Sequence, residues 1–217
     1  SIALTATADA EGQSISGTLA GFSVAGANAT AWVDAFGLDG GAGEDTLVNE
    51  GLITGEVNVT THARTINAAL AGYALSDANA TATVGAVGIT GGADDDVIVN
   101  AAAGDIDLLA TADVYANQVT VAVAGAADGE ANATPELAIT GLAGGAGDDG
   151  ILNEGRLALV SRSKSESTGS SWTVAGSASS KSGNQVTNTA KGITGGAGNN
   201  RIVNTGTIQV DRLQIKA

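Results

Sequence analysis

A unit of about 51 residues recurs along the chain, and this repeat constrains the possible fold more than any other feature. Each copy contains a Gly-Gly-Ala turn followed by polar residues, a short apolar run and an asparagine. The turns are spaced by 51, 53 and 51 residues and begin at Gly40, Gly91, Gly144 and Gly195. Because a whole unit repeats, the sequence predicts an array of stacked units rather than a single-copy core.

The repeat divides one continuous array into four units and the start of a fifth. Their approximate bounds are 1–51, 52–103, 104–156 and 157–207, with 208–217 beginning the fifth. The two extra residues of the second spacing predict a loop insertion. The part from 156 to 217 is basic and rich in serine, with ten serines between 161 and 182. That change in composition marks a terminal cap, a flexible excursion or an interface.

Apolar residues inside each unit alternate with small or polar ones, which is the period of a β-strand. The clearest runs are Ile66/Ala68/Leu70, Val119/Val121/Val123 and Trp172/Val174. Strands separated by glycine turns at a long fixed period predict an all-β fold, a parallel β-solenoid or β-helix. The pattern leaves open whether one unit forms one wide rung or two to three smaller ones.

Composition indicates a thin interior and a processed, exported chain. The sequence has 42 alanines and 32 glycines, with only 3% aromatic residues, so closely apposed backbones are expected. It has no cysteine, which excludes disulfides and zinc–thiolate sites, and no methionine, which predicts a processed or excised piece. No apolar run is long enough to predict a membrane-spanning helix.

Charge is divided unevenly along the chain. Residues 1–155 carry a net charge of −20, whereas residues 156–217 carry +6. The acidic part argues against nucleic acid as a partner and favours a metal cation or a cationic surface. The basic residues expected to contact an anion or a second copy of the chain are Arg162, Lys164, Lys181, Lys191, Arg201 and Arg212.

The glycine turns resemble the calcium-binding nonapeptide of the repeats-in-toxin family, Gly-Gly-x-Gly-x-Asp followed by a large apolar residue. The resemblance covers about forty of the 217 residues. It implies calcium as the ligand, bound by carboxylates and backbone carbonyls. Carried over by position, the ligands are Asp45, Asp96 and Asp149, with carbonyls near Gly41, Gly92 and Gly145. The adjacent acids Glu44, Asp94, Asp95 and Asp148 complete the set of candidate metal ligands.

The chain departs from that family in its spacing. The family repeats its motif about every nine residues, whereas here the motif returns only once per unit. If one unit is one rung, like acids stack about 4.8 Å apart and require a cation, whereas several rungs per unit would dilute the column. The alternative is a tight turn that needs no metal. The fourth copy has Asn199 and Asn200 in place of acids and is expected to bind calcium weakly or not at all.

Two sets of asparagines invite different predictions. The set that closes each short run, Asn49, Asn100, Asn153 and Asn204, predicts a stacked amide ladder inside the solenoid. Asn79 and Asn132 head Asn-x-Thr sequons and are the candidate glycan acceptors of an exported protein.

The sequence favours a structural role over catalysis. His62 is the only histidine, and the acids recur as copies instead of forming one unique constellation. The expected function is an extracellular or cell-surface structural subunit of a bacterial fibre, filament or biofilm matrix, with no membrane span. Its composition resembles that of large bacterial adhesin repeats. The opposite charges of its two parts favour head-to-tail assembly with further copies.

Two alternatives come from other classes of protein. One is an adhesin stalk or glycan-binding module that uses the basic fourth unit. The other, more remote, is a polysaccharide-degrading β-helix enzyme.

Overall fold

The computed structural model describes residues 1–216, which form ten β-strands and no helix. Long strands alternate with short ones. In the fourth unit the long strand is interrupted and is divided into two, the seventh and eighth strands of the chain. The strands are β1 (Ile2–Ala42), β2 (Thr46–Asn49), β3 (Leu52–Ala93), β4 (Val97–Asn100), β5 (Asp105–Ala146), β6 (Gly150–Asn153), β7 (Arg156–Asn184), β8 (Thr187–Ala197), β9 (Arg201–Asn204) and β10 (Thr207–Lys216).

All of these strands pair in parallel, which confirms the predicted all-β parallel solenoid. One sheet runs β1-β3-β5-β7-β10, with β8 also paired to β5, and the second runs β2-β4-β6-β9. Each residue pairs with its counterpart one unit away, as in the column Ile2, Ile53, Ile106, Leu157 and Ile208. One repeat length therefore makes one wide rung.

Each long strand folds back on itself near its middle. The reversal lies at a glycine with positive φ, for example Gly72 at 124° and Gly125 at 127°. The outgoing and returning halves then face each other, and in the first rung the hydroxyls of Ser16 and Ser23 lie 2.9 Å apart across the interior. A rung consequently has two long faces, and the short strands supply a third.

Small side chains fill the space between the two long faces. Ala110 and Ala112 on the outgoing half and Ala131 and Ala133 on the returning half are fully buried in one apolar cluster. Larger residues are buried where the returning half approaches the short face, and these include Ile53, Ile89 and Ile98. The thin alanine interior expected from composition is therefore present.

One glycine column is required by this close packing. A Cβ atom on Gly88 would lie 2.6 Å from the carbonyl oxygen of Gly141 and 2.7 Å from Cγ2 of Ile106. Equivalent glycines occupy the same place in the other units, where the returning half passes over the start of the next rung: Gly37, Gly141 and Gly192. Only glycine fits there without displacing backbone.

The two-residue insertion lies at a corner, as predicted. Four residues, 101–104, separate β4 from β5, whereas two residues separate the short strand from the long one in the other units. The backbone N–H of Gly104 closes this turn on the carbonyl of Ala101 at 2.7 Å. Pairing is in register on both sides of it.

The apolar residues that predicted strands near the fold-back point outward. Ile15 and Leu19 are 77% and 79% exposed, and Val121 and Val174 are also exposed. Their polar neighbours Gln118 and Thr120 are buried. The alternation therefore identified the strands but not the side of the sheet that faces the core.

Candidate metal centre

The predicted acidic ligands lie in the turn between each long strand and the following short one. Two features of the glycine string produce this turn. The second glycine of each string has positive φ, between 89° and 114°, at Gly41, Gly92, Gly145 and Gly196. A second left-handed residue follows two positions later, and in the second unit it is Asp94, with φ of 74°, where the other units have glycine. The chain turns there so that the next acids meet their counterparts in the adjacent rungs.

The inner acids form a hydrogen-bonded column through the turns, which we call the carboxylate column: Asp45, Asp96, Asp149 and Asn200. The backbone N–H of Asp45 donates to Oδ1 of Asp96 at 2.8 Å, and that of Asp96 donates to Oδ1 of Asp149 at 3.0 Å. The N–H of Asp149 donates to Oδ1 of Asn200 at 2.8 Å. From the second unit onward, Oδ1 of each side chain in the column therefore accepts a hydrogen bond from the rung before it.

The second oxygen of each aspartate in the column has no protein partner. Oδ2 of Asp45, Asp96 and Asp149 is buried and accepts no hydrogen bond. The whole side chains of Asp96 and Asp149 are only 1% and 2% exposed. Leaving a buried polar atom unpaired costs about 1–3 kcal/mol, and more if the group is charged. These oxygens are therefore the candidate contacts for a bound cation in the turns.

Asn200 shows what kind of ligand fits. Its Oδ1 occupies the same place in the column as the aspartate Oδ1 atoms, so its Nδ2 stands where the aspartates have Oδ2. That Nδ2 donates toward three carbonyl oxygens of its own turn, each at 3.5 Å: those of Gly196, Ala197 and Gly198. An ionised aspartate oxygen at the equivalent place only accepts, so it cannot make the bonds that this Nδ2 makes. A hard cation that takes oxygen ligands fits such a place.

The remaining predicted acids lie outside the interior. Asp94, Asp95, Asp148 and Glu44 are exposed. They form a second, outer set of contacts, in which the N–H of Asp148 donates to Oδ1 of Asp95 at 2.8 Å and the N–H of Asn199 donates to Oδ1 of Asp148 at 2.7 Å. The bond from the Asn199 backbone lowers the pKa of the Asp148 carboxyl. Asp94, Asp95 and Asp148 each accept a backbone N–H, in contrast to the inner Oδ2 atoms.

The ten predicted ligands thus separate into two kinds. Within residues 1–216, no three His, Cys, Asp or Glu side chains converge in a metal-binding group. A cation at the carboxylate column would therefore be held mainly by backbone carbonyls with one inner carboxylate per turn, the carbonyls including those near Gly41, Gly92 and Gly145. Glu44, Asp94, Asp95 and Asp148 are exposed, and the structure shows no bond between them and the inner oxygens.

The predicted asparagine ladder is confirmed. Nδ2 of Asn49 donates to Oδ1 of Asn100 at 2.8 Å, Asn100 donates to Asn153 at 2.8 Å, and Asn153 donates to Asn204 at 2.6 Å. Asn100 and Asn153 are fully buried. The ladder lies at the end of each short strand and holds the rungs in register.

The candidate glycan acceptors form a shorter, half-buried ladder on the outside of the returning half. Nδ2 of Asn79 donates to Oδ1 of Asn28 at 3.3 Å. Nδ2 of Asn132 donates to both Oδ1 of Asn79, at 3.0 Å, and Oε1 of Glu130, at 2.9 Å. A glycan on Nδ2 of Asn132 would displace one of these bonds, whereas Asn79 makes only one through its Nδ2.

The six predicted basic contacts do not form a single patch. Arg162 and Lys164 lie on the outgoing half of the fourth rung, Lys181 and Lys191 on its returning side, and Arg201 on the short face. Lys164 is engaged with Oε2 of Glu166 at 3.2 Å and lies 4.7 Å from the centre of the Tyr115 ring. Arg212 is different, because its register places it at a core-facing position in β10.

Two half-buried side-chain groups were not anticipated from the sequence. Asp77, Asp128 and Glu130 gather on the returning face, where burial and the charges of Glu130 and Asp128 raise the pKa of Asp77. His62 stacks on Tyr115 with ring centres 4.6 Å apart. Asp77 and Glu130 are counterparts in adjacent rungs, as are His62 and Tyr115, so alignment of the units by phase would have shown these two pairs.

In comparisons with known proteins, the chain matches no family model, no curated protein and no solved structure. None of the residues 1–216 belongs to a helix with the length and hydropathy needed to cross a bilayer.

Proposed function

We propose that this chain is a structural, extracellular β-solenoid segment of a bacterial surface fibre, filament or matrix, and that calcium stabilises its turns. The observation that carries the proposal is the set of buried, unpartnered Oδ2 atoms in the carboxylate column. They occur once in each of the first three units, so each ion would link one unit to the next. Surface modules bind calcium with dissociation constants of about 10⁻⁴–10⁻³ M, which suits an extracellular location.

A mechanical role also agrees with the way the acids are used. Each acid repeats from rung to rung and contacts its own counterpart, whereas a catalytic group occurs once and faces a substrate. The proposal therefore includes no catalytic residue. A polysaccharide-degrading enzyme would need a unique acid and base beside a groove, and no observation favours that alternative.

The partner that the charge distribution favours is a further copy of this chain. The first three units are strongly acidic and the fourth is basic, so the flanks of two rods are complementary. Binding of an anionic glycan by Lys164, Lys181 and Lys191 is the competing proposal. Titration of an acidic polysaccharide against the wild type and a Lys164→Glu/Lys181→Glu/Lys191→Glu variant separates the two, because a pure spacer has no binding to lose.

The calcium proposal is tested by thermal unfolding followed by circular dichroism, with a chelator and with excess calcium. An ion that binds only the folded chain at a hundred times its dissociation constant adds about 2.7 kcal/mol of stability. We expect the melting temperature to rise with calcium and not with the same concentration of magnesium, which dehydrates reluctantly. Identical melting curves in chelator and in calcium would contradict the proposal.

A further inference from the structure

A band of apolar side chains lies on the outer surface of the outgoing halves, just before the fold-back. Its members take outward positions in successive rungs, and we call them the apolar strip: Leu19, Leu70, Val119, Val121, Val123 and Trp172. Leu70 is 53% exposed and Val123 is 42% exposed. Both lie in rungs that have another rung stacked on either side. Their exposure is therefore a property of the flank of the rod.

The size of the apolar strip distinguishes it from the scattered apolar side chains of an ordinary protein surface. Its members are exposed by 37% to 79%. Together they present on the order of 600 Å² of apolar surface, the upper end of the largest patch on a typical monomer. A standard stable interface takes about 800 Å² from each partner. The strip and its polar border are therefore large enough to form an interface.

Charged side chains border the strip on the side away from the fold-back. The first unit carries Asp9 and Glu11 there, and the fourth unit carries Arg162, Lys164 and Glu166. An apolar centre with a polar rim is the usual anatomy of a protein interface. A second copy that lies antiparallel on this face places the negative border of the first unit beside the positive border of the fourth. A parallel copy in register brings like units together, so charge favours the antiparallel arrangement.

The strip is also self-complementary in shape in that arrangement. Its central column reads Gly17, Ala68, Val121 and Trp172 in register, so it forms a hollow in the first two units and a ridge in the fourth. Trp172 is 66% exposed. A Cβ atom on Gly17 would meet nothing closer than the carbonyl oxygen of Ala68, at 3.7 Å. Because the first unit of one copy faces the fourth unit of the other, each ridge meets a hollow.

We propose that the apolar strip is the docking surface for a second copy of this chain, which lies antiparallel on the first with Trp172 of each copy in the Gly17 hollow of the other. Such a two-fold contact uses the same patch on both copies. Tryptophan in a central pocket is the kind of residue that dominates the binding energy of interfaces. The net charge of −14 disfavours an anionic lipid surface as the occupant.

The inference deepens the proposed function and rests on it, since it specifies the flank by which copies in a fibre or matrix meet. The contact does not involve calcium. The carboxylate column lies in the turns between long and short strands, at the other end of the long strands from the fold-back. Association measured in chelator therefore tests the strip separately from calcium, and melting curves test calcium separately from the strip.

The test is sedimentation velocity of the full chain in chelator, at low salt and at about 1 M salt, where the Debye length is near 3 Å. Trp172→Ala removes the ridge, and Gly17→Leu fills the hollow. Trp32→Ala and Gly26→Leu are the matched controls on the returning half. Trp32 is 64% exposed, and a Cβ atom on Gly26 meets no atom within 4 Å. Circular dichroism checks the fold of each variant.

We expect the wild type and both controls to dimerise at both salt concentrations, and Trp172→Ala and Gly17→Leu to weaken the dimer at least tenfold. Gly17→Leu adds apolar surface, so non-specific adhesion would become tighter in this variant. Unchanged or tighter association of either folded strip variant would overturn the proposal. So would a wild type that dissociates at high salt, or one that stays monomeric up to about 1 mM. A monomer that floats with neutral phosphatidylcholine vesicles would also overturn it, because the strip would then be a lipid contact.

Discussion

The backbone N–H of Asp149 donates a 2.8 Å hydrogen bond to Oδ1 of Asn200, the only amide in a column of carboxylates. Nδ2 of Asn200 donates to a carbonyl oxygen of its own turn, so both polar atoms of this side chain have partners. Oδ2 of Asp149, in contrast, is buried without a partner. The two residues occupy equivalent places in adjacent rungs. In the proposed calcium-bound turn, the Asn200 amide takes the place that a cation takes beside the aspartates.

This relationship predicts the effect of Asp149→Asn. Without calcium, the amide is expected to donate to the turn carbonyls and to raise the free energy of unfolding by about 1–3 kcal/mol, the cost of the unpaired atom. With calcium, the variant should gain less stability than the wild type because it has one ion fewer. Chemical denaturation with chelator and with calcium measures both changes.

Asp95→Asn is the matched control for that variant. Asp95 is an exposed acid of a neighbouring turn, and its Oδ1 is partnered by the N–H of Asp148. It should alter stability by less than about 0.5 kcal/mol, as surface substitutions usually do. Equal effects of the two substitutions on the free energy of unfolding would contradict the difference drawn between the unpartnered inner oxygens and the partnered outer acids.

The asparagine ladder predicts a second difference between positions. Asn100→Ala removes bonds to both Asn49 and Asn153 and leaves their buried polar atoms unpaired. We expect a loss of about 2–4 kcal/mol. Asn204→Ala, at the exposed end of the ladder, removes one such bond and should cost about 1 kcal/mol. Urea denaturation compares them, and a larger loss for Asn204→Ala would contradict the ladder's role.

The glycine column predicts a steric effect. Gly88→Ala places a methyl group 2.6 Å from the carbonyl oxygen of Gly141 and should destabilise the rod by about 1–3 kcal/mol through overpacking. Gly26→Ala meets no atom within 4 Å and is the control. Its stability should be unchanged or slightly raised, because alanine reduces the freedom of the unfolded chain. Melting temperatures of the two variants decide the point.

Asp77 predicts a pH dependence of defined sign. Its folded pKa is raised above the ordinary value of 3.8, first by burial and then by Glu130 and Asp128. Between 3.8 and that raised pKa, the folded chain retains a proton that the unfolded chain has released, so stability contributed by Asp77 falls as pH rises. Asp77→Asn should flatten this part of the profile and raise stability at neutral pH by on the order of 0.5 kcal/mol.

Asp148 acts in the opposite direction and at lower pH. Its folded pKa is lowered below 3.8, so its contribution to stability is present above 3.8 and is lost as pH falls through the folded pKa. The pH range in which Asp77 changes stability lies above 3.8, and that of Asp148 lies below 3.8, so the two ranges do not overlap. A stability profile of Asp77→Asn that differs from the wild type only below 3.8 would contradict the assignment.

Much of the fold followed from the sequence because stacking makes identical residues meet. The period, the parallel strands, the asparagine ladder and the corner insertion are all visible as columns of like residues. The number of rungs per unit could not be predicted, because the period alone does not state how far the chain travels before it turns. That distance depends on the fold-back at Gly72 and its counterparts, and a glycine by itself does not reveal the angle of a turn.

The direction of the strands near the fold-back could not be predicted for a physical reason. The interior narrows there, and backbone carbonyls need donors from inside the rod. Nδ2 of Asn67 donates to the carbonyl oxygen of Leu75 at 2.6 Å, and Oγ1 of Thr120 donates to the carbonyl oxygen of Asp128 at 3.3 Å. Polar residues therefore occupy the inside, and valines such as Val121 are left on the surface. The hydrophobic pattern alone would place these valines inside and the polar residues outside.

The candidate site was only partly visible in the sequence. The turn motif located the acids, and the Asn200 substitution marked the exception. The motif placed Asp96 at the ligand position and Asp95 beside it, and the structure buries Asp96 and leaves Asp95 exposed. The depth of that burial depends on the rotation of the chain after two left-handed residues, which the motif does not state.

The corner at residues 101–104 carries two additional residues while the strands on both sides keep their pairing. A bend that absorbs extra length without disturbing its neighbours is a natural attachment point. A peptide grafted into this bend would be displayed from the side of the rod, with two complete units before it along the chain.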